Sequence, residues 1–256
     1  MLHPAPRWLD AGEAALVVEF GDSVDPTINA RVLALDAALR AAPIEGIVEM
    51  VPTYRSLMIH YEPLALSRSA LMAHAQGLLR TSAAPGSPDR RSRSGGIDAP
   101  MRLWTVPCCY EPPLAEDITA AGEVLSLSSE RLAELHAGAL YRAYMYGFAP
   151  GWCYLGGLPA ALALPRRAAP RGPTPWGAVL IGGGLSLICA APMPTGWYVI
   201  GRTPERLFAL DRDPPFLFEA GDAIRFEPVG RAAFARLEER AGRGAIVSRL
   251  MTESMA

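Results

Sequence analysis

The chain has 256 residues, half of them hydrophobic, with 24 basic against 26 acidic side chains and an isoelectric point near 6.1. That length can bury one large core or two smaller ones, and the balanced charge excludes a global attraction to nucleic acid or to an anionic membrane. All 24 of the basic residues are arginine, so lysine Schiff bases, lysine general bases and a Walker A lysine are absent from its chemistry.

The N-terminal MLHPAPRWLDAGEAAL lacks a basic region followed by an apolar core, and no apolar run approaches a membrane span. Ala14 to Phe20 reads as a strand. Asp25 and Pro26 then supply an N-cap and a first-turn proline for a helix whose Ile28, Val32, Leu35 and Leu39 share one face. Pro43 and Gly46 end that helix. Ile47 to Val51 and Leu57 to Tyr61 are two more strands, and Ser67 caps a helix carrying Leu71, Leu78 and Leu79. The order β-α-β-β-α predicts a two-layer α/β sandwich over residues 1–80.

Residues 81–100, rich in Ser, Gly, Pro and Arg, have a linker's composition and mark a domain boundary. Beyond them, Met101 to Val106 reads as a strand. Asp117 to Leu125 and Ser129 to Gly138 read as short helices, with Ser128 as N-cap and Gly138 as C′ residue. The helix pair has a helix-turn-helix outline, but its second helix offers one arginine against two glutamates, a poor match to a polyanion. From Gly147 to Gly230 short apolar runs (AVLIGG, LSLICA, WYVIG, RLFAL, AIRFEPV) alternate with Gly and Pro, predicting a barrel or sandwich over residues 101–230. Residues 231–256 read as a helix followed by a fraying tail. The fold class is α+β.

Four cysteines without CxxC spacing fit reduced thiols in a cytoplasm, and four scattered histidines argue against a dedicated metal site. Tyr141 to Gly157, YRAYMYGFAPGWCYLGG, concentrates aromatics and glycines with almost no charge, the composition of a binding surface. His136 precedes it, with Tyr144 at a distance that could place a phenol and an imidazole in one pocket. Both roles are open at this point, a general acid or base and a packing residue beside Leu132 and Leu135. Arg166, Arg167 and Arg171 alternate with prolines, and Arg202 ends a strand. Guanidinium groups held this way suit a small anionic substrate, while surface arginines or barrel ion pairs are the alternative. Gly182, Gly183 and Gly184 lie between strands and read as a tight turn or a close backbone approach. Asp222 reads as a turn-capping carboxylate. GxSxG, HExxH and CxxC are all missing.

Taken together, GEAALVVEFGDSVDP, VEMVPTYRSLMIHYEP, LHAGALYRAYMYGFAPGWCYLGGLP, PRRAAPR, GWYVIGRTPERLF and EAGDAIRFEPV resemble the family of 5-oxoprolinase B subunits, also called the KipI or allophanate hydrolase subunit 1 family. The resemblance implies an N-terminal α/β domain and a C-terminal cyclophilin-like β-barrel. It implies ATP, with Mg as its counterion, as cofactor. Its implied partners are a C-type subunit (KipA, or allophanate hydrolase subunit 2) and an A-type subunit of the LamB/YcsF kind, together opening 5-oxoproline to glutamate. Relatives that inhibit a sensor histidine kinase, or that belong to urea carboxylase, give the alternative implications. The family's motifs fall on Arg55, His136, Tyr144, Phe148, Pro150, Gly151, Arg166, Arg171, Arg202 and Thr203 among other positions. His136 and Tyr144 are the expected proton-handling pair. Arg55, Phe148, Pro150, Gly151, Arg166, Arg171, Gly183, Gly184, Arg202 and Thr203 are the expected substrate-binding set. Two departures stand out: Trp152-Cys153 where the family has an aromatic and a proline, and Leu185 and Cys189 where it has glutamine and tyrosine.

Overall fold

A computed structural model describes residues 1–83 and 102–251. The chain divides into two compact units, Met1–Met101 and Arg102–Ala256. Of the expected linker, residues 81–83 complete a helix and the rest lies outside the described residues.

The first unit is an antiparallel four-stranded sheet in the order β1-β2-β4-β3, with helices α1 (Pro26–Ala41) and α2 (Arg68–Ala83). Its strands are β1 (Leu2–Asp10), β2 (Ala15–Gly21), β3 (Ile47–Pro52) and β4 (Ser56–Tyr61). Asp25 caps α1 as the sequence predicts, its carboxylate accepting from the N–H groups of Thr27 at 2.7 Å and Ile28 at 3.1 Å. Leu16, Val18 and Phe20 of β2 alternate toward the same core as Leu57, Ile59 and Tyr61 of β4, and Ile28, Val32, Leu35 and Leu39 complete it from α1. The sequence pattern does not reveal β1. It is an exposed edge strand holding two prolines, and its pairing with β2 is irregular between Leu2 and Arg7.

The second unit carries an eight-stranded sheet in the order β10-β8-β9-β7-β6-β11-β5-β12. Its strands are β5 (Leu103–Cys108), β6 (Tyr141–Tyr146), β7 (Cys153–Gly156), β8 (Ala178–Gly182), β9 (Leu185–Ile188), β10 (Tyr198–Arg202), β11 (Ala223–Pro228) and β12 (Arg249–Met251). The helices are α3 (Ile118–Leu125), α4 (Ser129–Ala137) and α5 (Arg231–Gly242). One core cluster takes residues from seven successive strands, β5 through β11, together with Ile118 and Ala121 of α3 and Leu132 of α4. Seven strands wrapped on one core roll the sheet as in a barrel, with β12 added outside that core. Its ladder does not close: β10 meets the chain just past β5 at a single isolated bridge, where Cys109 and Arg202 exchange backbone hydrogen bonds of 2.8 and 2.9 Å. A second cluster, including Trp152, Leu180, Leu187, Trp197 and Val199, occupies the opposite face of β7 to β10.

Three local expectations are corrected. Gly138 is the C-cap of α4 in right-handed conformation and not a left-handed C′ residue. RLFAL forms no strand, because its only pairing is an isolated bridge between Phe208 and Phe216. The tail after α5 adds β12 antiparallel to β5, anchored by Glu205, whose buried carboxylate accepts from the N–H groups of Val247 at 2.8 Å and Ser248 at 2.6 Å.

Candidate functional site

The aromatic segment forms the hairpin β6–β7, and its loop holds one of the two non-glycine residues with positive φ among the described residues. Phe148 has φ 69° and closes a γ-turn in which Ala149 N–H donates to Gly147 O at 2.8 Å. Pro150 and Gly151 then make the next turn, with Trp152 N–H donating to Ala149 O at 3.1 Å and Gly151 at φ 77°. Gly151 is obligatory on a second count. A Cβ there would stand 2.5 Å from Phe208 Cβ and 2.6 Å from Ala190 Cβ. Phe148 is exposed, with its ring 5.1 Å from that of buried Trp152.

At the other end of β7 lies the turn between β8 and β9. Gly182 pairs with Leu185, and Gly183 and Gly184 between them have φ 59° and 77°, the two-residue hairpin that requires positive φ at both positions. Arg166 reaches this turn, its Nε 3.8 Å from where a Gly183 Cβ would sit, and its guanidinium stacks 5.6 Å above the ring of Trp197. Tyr154 belongs to the same corner, its ring 6.1 Å from Trp197. Burial raises its phenol pKa and the Arg166 charge offsets part of that rise. Leu185 packs against the same apolar cluster as Trp197. Arg166 is exposed and takes part in no ion pair among the described residues. Of the expected substrate-binding set, the structure therefore brings Arg166, Gly183 and Gly184 together here, and Phe148, Pro150 and Gly151 together at the opposite end of β7.

The remaining arginines are committed elsewhere. Arg171 pairs with Glu116 and with Asp117, whose Oδ2 lies 2.5 Å from Arg171 Nη1. Asp117 also holds Arg167 at 3.3 Å and accepts from the N–H of Val199 at 2.9 Å. It sits at the start of α3 but makes no cap hydrogen bond, because its oxygens are occupied by these groups. Arg202 donates to Trp176 O at 3.0 Å and to Glu238 at 3.0 Å, and lies 5.3 Å above the ring of Phe234, which fastens α5 to the sheet. Thr203 is buried and its hydroxyl accepts from the N–H of Glu205 at 3.1 Å. Arg55 belongs to the first unit, where it donates to Asp22 O at 2.9 Å and pairs with Glu19 at 3.5 Å.

His136 is fully buried. Its Nδ1 lies 2.8 Å from Tyr110 Oη and its Nε2 3.1 Å from Ser186 Oγ, and its ring packs against Tyr141 and Phe226. Ser186 Oγ donates to Leu180 O at 3.1 Å, which leaves it to accept from His136 Nε2–H, so that Nδ1 accepts from Tyr110. Burial depresses the imidazole pKa to about 3. The phenol bonded to His136 is Tyr110 and not Tyr144, whose ring lies instead against Gly156, where a Cβ would come within 2.2 Å of it. Asp222 caps a turn as expected, accepting from Glu219 N–H and Trp104 Nε1–H at 2.9 Å each, and burial raises its pKa.

Sequence reasoning does not single out Tyr110, Ser186, Asp117 or Trp197 as members of these clusters. The one available signal is the acid pair Glu116-Asp117, which can be matched to the arginine-rich segment that follows fifty residues later. Among the described residues no three His, Cys, Asp or Glu side chains converge as metal ligands, and no helix is long and apolar enough to cross a membrane.

Residues 6–218 match the family model of the carboxyltransferase domain, subdomains C and D. The chain belongs to this family. It is 31% identical over 222 residues to the 5-oxoprolinase B subunit of Escherichia coli O157:H7, covering 85% of this chain and 93% of that one. It is 28% identical over 232 residues to the 5-oxoprolinase B subunit of Bacillus subtilis, covering 89% and 95%. The solved structure of TTHA0988 matches at 32% identity with a TM-score of 0.72, covering 84% of this chain and 39% of that one. The urea carboxylase of Kluyveromyces lactis shares the fold, with a TM-score of 0.76 at 17% identity, over 98% of this chain and 25% of its own.

Proposed function

We propose that this chain is the B-type subunit of an ATP-dependent, cytoplasmic enzyme that opens 5-oxoproline, or a related cyclic amide or urea-derived carboxylate. In this reading it works with two partners, one a C-type subunit, the other of the LamB/YcsF type. The observation that carries the reading is the near end-to-end similarity to two proteins named as B subunits of 5-oxoprolinase, 93% and 95% of whose lengths are covered. Four free cysteines agree with a reducing compartment.

The site geometry supports a division of labour. The small anionic substrate takes Arg166, the arginine of the set that bears no carboxylate partner, with Tyr154 and the Gly183-Gly184 turn beside it. Arg171 and Arg202 are neutralised by Asp117, Glu116 and Glu238 and serve to hold the barrel. His136, buried and doubly hydrogen-bonded, organises the core and does not exchange protons with substrate. The chain's residues do not by themselves fit a magnesium nucleotide: lysine is absent, and these two arginines are already paired. Nucleotide handling is accordingly expected of the assembled subunits.

The test is to purify this chain with the C-type subunit, add the LamB/YcsF-type protein, and follow ATP hydrolysis and glutamate release. Stimulation by 5-oxoproline is the expected outcome. Intact complexes that show no stimulation would sink this substrate assignment.

A further inference from the structure

We propose that the Phe148 loop is the docking point for the C-type subunit, with the aromatic ring entering an apolar pocket on that partner. The inference rests on the functional reading above, which supplies the partner.

Phe148 is 68% exposed at φ 69°, a conformation open to glycine and costly for a bulky side chain. Strain of this kind persists only where the surroundings impose it, and here it turns a large apolar ring toward solvent. The adjacent loop does the same with Leu210, which is 88% exposed. The two loops are fixed side by side: Phe216 packs against Tyr146 at 4.8 Å, and Phe208 fills the space that a side chain at Gly151 would need. Two large apolar side chains held out on rigid neighbouring supports have the form of protein-contact anchors.

A small anion is a poor occupant. Arg212, the guanidinium of the Leu210 loop, is spent on the carbonyls of Arg206, Leu207, Pro214 and Pro215. Arg166 stands at the far end of β7. The C-type subunit is favoured over a second copy by the lengths of relatives. The chain spans 39% of TTHA0988, and the region shared with the Lachancea kluyveri urea amidolyase is 14% of that protein. In those proteins the shared region is covalently joined to a long stretch of further polypeptide, and on this proposal the equivalent separate chain carries the pocket that the anchors enter.

The test uses the full chain and the purified C-type subunit, with affinity measured by calorimetry. Phe148→Gly removes the ring and relieves the left-handed strain. Strain relief and the lost contact with Trp152 nearly cancel, so the melting temperature is expected to stay within about 3 °C of the parent. Affinity is expected to fall roughly 30-fold, the loss typical of an aromatic anchor, and Phe148→Tyr is expected to restore it. Unchanged affinity of the glycine variant would overturn the proposal, whether or not turnover falls. So would a homodimer of the parent that Phe148→Gly converts to monomer. Complete failure of the C-type subunit to bind the parent chain would instead remove the functional reading, and this inference with it.

Discussion

The buried imidazole makes a quantitative demand on the second unit. His136 has a folded pKa of about 3, against about 6.5 when the chain is unfolded. Between those values the unfolded state binds one more proton than the folded state, so stability falls as pH falls. At pH 5 the gap to the unfolded pKa is about 1.5 units, worth about 2 kcal/mol relative to pH 8 at 1.36 kcal/mol per unit. His136→Gln keeps an acceptor for Tyr110 and a donor for Ser186 but does not titrate. It is expected to cost roughly 1 to 3 kcal/mol at pH 8 through imperfect geometry, and to recover about 2 kcal/mol of that deficit by pH 5. Guanidinium chloride unfolding of both proteins at half-unit steps from pH 8 to pH 5 measures the difference, in which every other titrating group cancels. Parallel stability profiles would refute the reasoning, since His136 would then protonate in the folded state as readily as in the unfolded one.

Further outcomes follow from the packing. Asp117→Ala leaves Arg171 and Arg167 without their shared carboxylate and Val199 N–H without its acceptor; a loss of about 3 kcal/mol is expected by denaturant unfolding. Arg40→Ala, which breaks the exposed pair with Asp36, should cost at most about 0.5 kcal/mol by the same measurement. Gly177→Ala forces a Cβ to within 2.3 Å of the Thr203 carbonyl oxygen at a position with φ 72°, so thermal melts are expected to show a loss of about 3 kcal/mol or outright misfolding. Gly184→Ala, at φ 77° with open space around it, should lose only about 1 kcal/mol in those melts.

Local features are legible in the sequence, while long-range ones are not. The Asp25 cap, the Ile28 to Leu39 face and the Ser128 cap can be read because each depends on neighbours within a turn or two. The short strands of the second unit announce themselves by their glycine punctuation. The edge strands β1 and β12 do not: they bury little and carry no alternation to detect. At the candidate site, the composition marks the right segments but not their partners. The sequence suggests a tyrosine eight residues away for His136, whereas its hydrogen bonds run to Tyr110 and to Ser186, 26 and 50 residues distant. The same holds for Arg171 and Arg202, whose carboxylates lie 54 and 36 residues off. A guanidinium looks equally available in sequence whether or not the fold has already neutralised it.

The pairing around β5 has a topological consequence. β11 runs parallel to β5, α5 carries the chain back, and β12 then runs antiparallel along the other edge of β5, so that Met251 stands opposite Leu103. Among the described residues the unit's first and last strands are thus hydrogen-bonded neighbours, with Leu103 and Met251 side by side. Such a module can be spliced into a longer polypeptide, or circularly permuted by joining its ends and cutting at the exposed Asp211 to Asp213 loop, without disturbing the core that seven strands share.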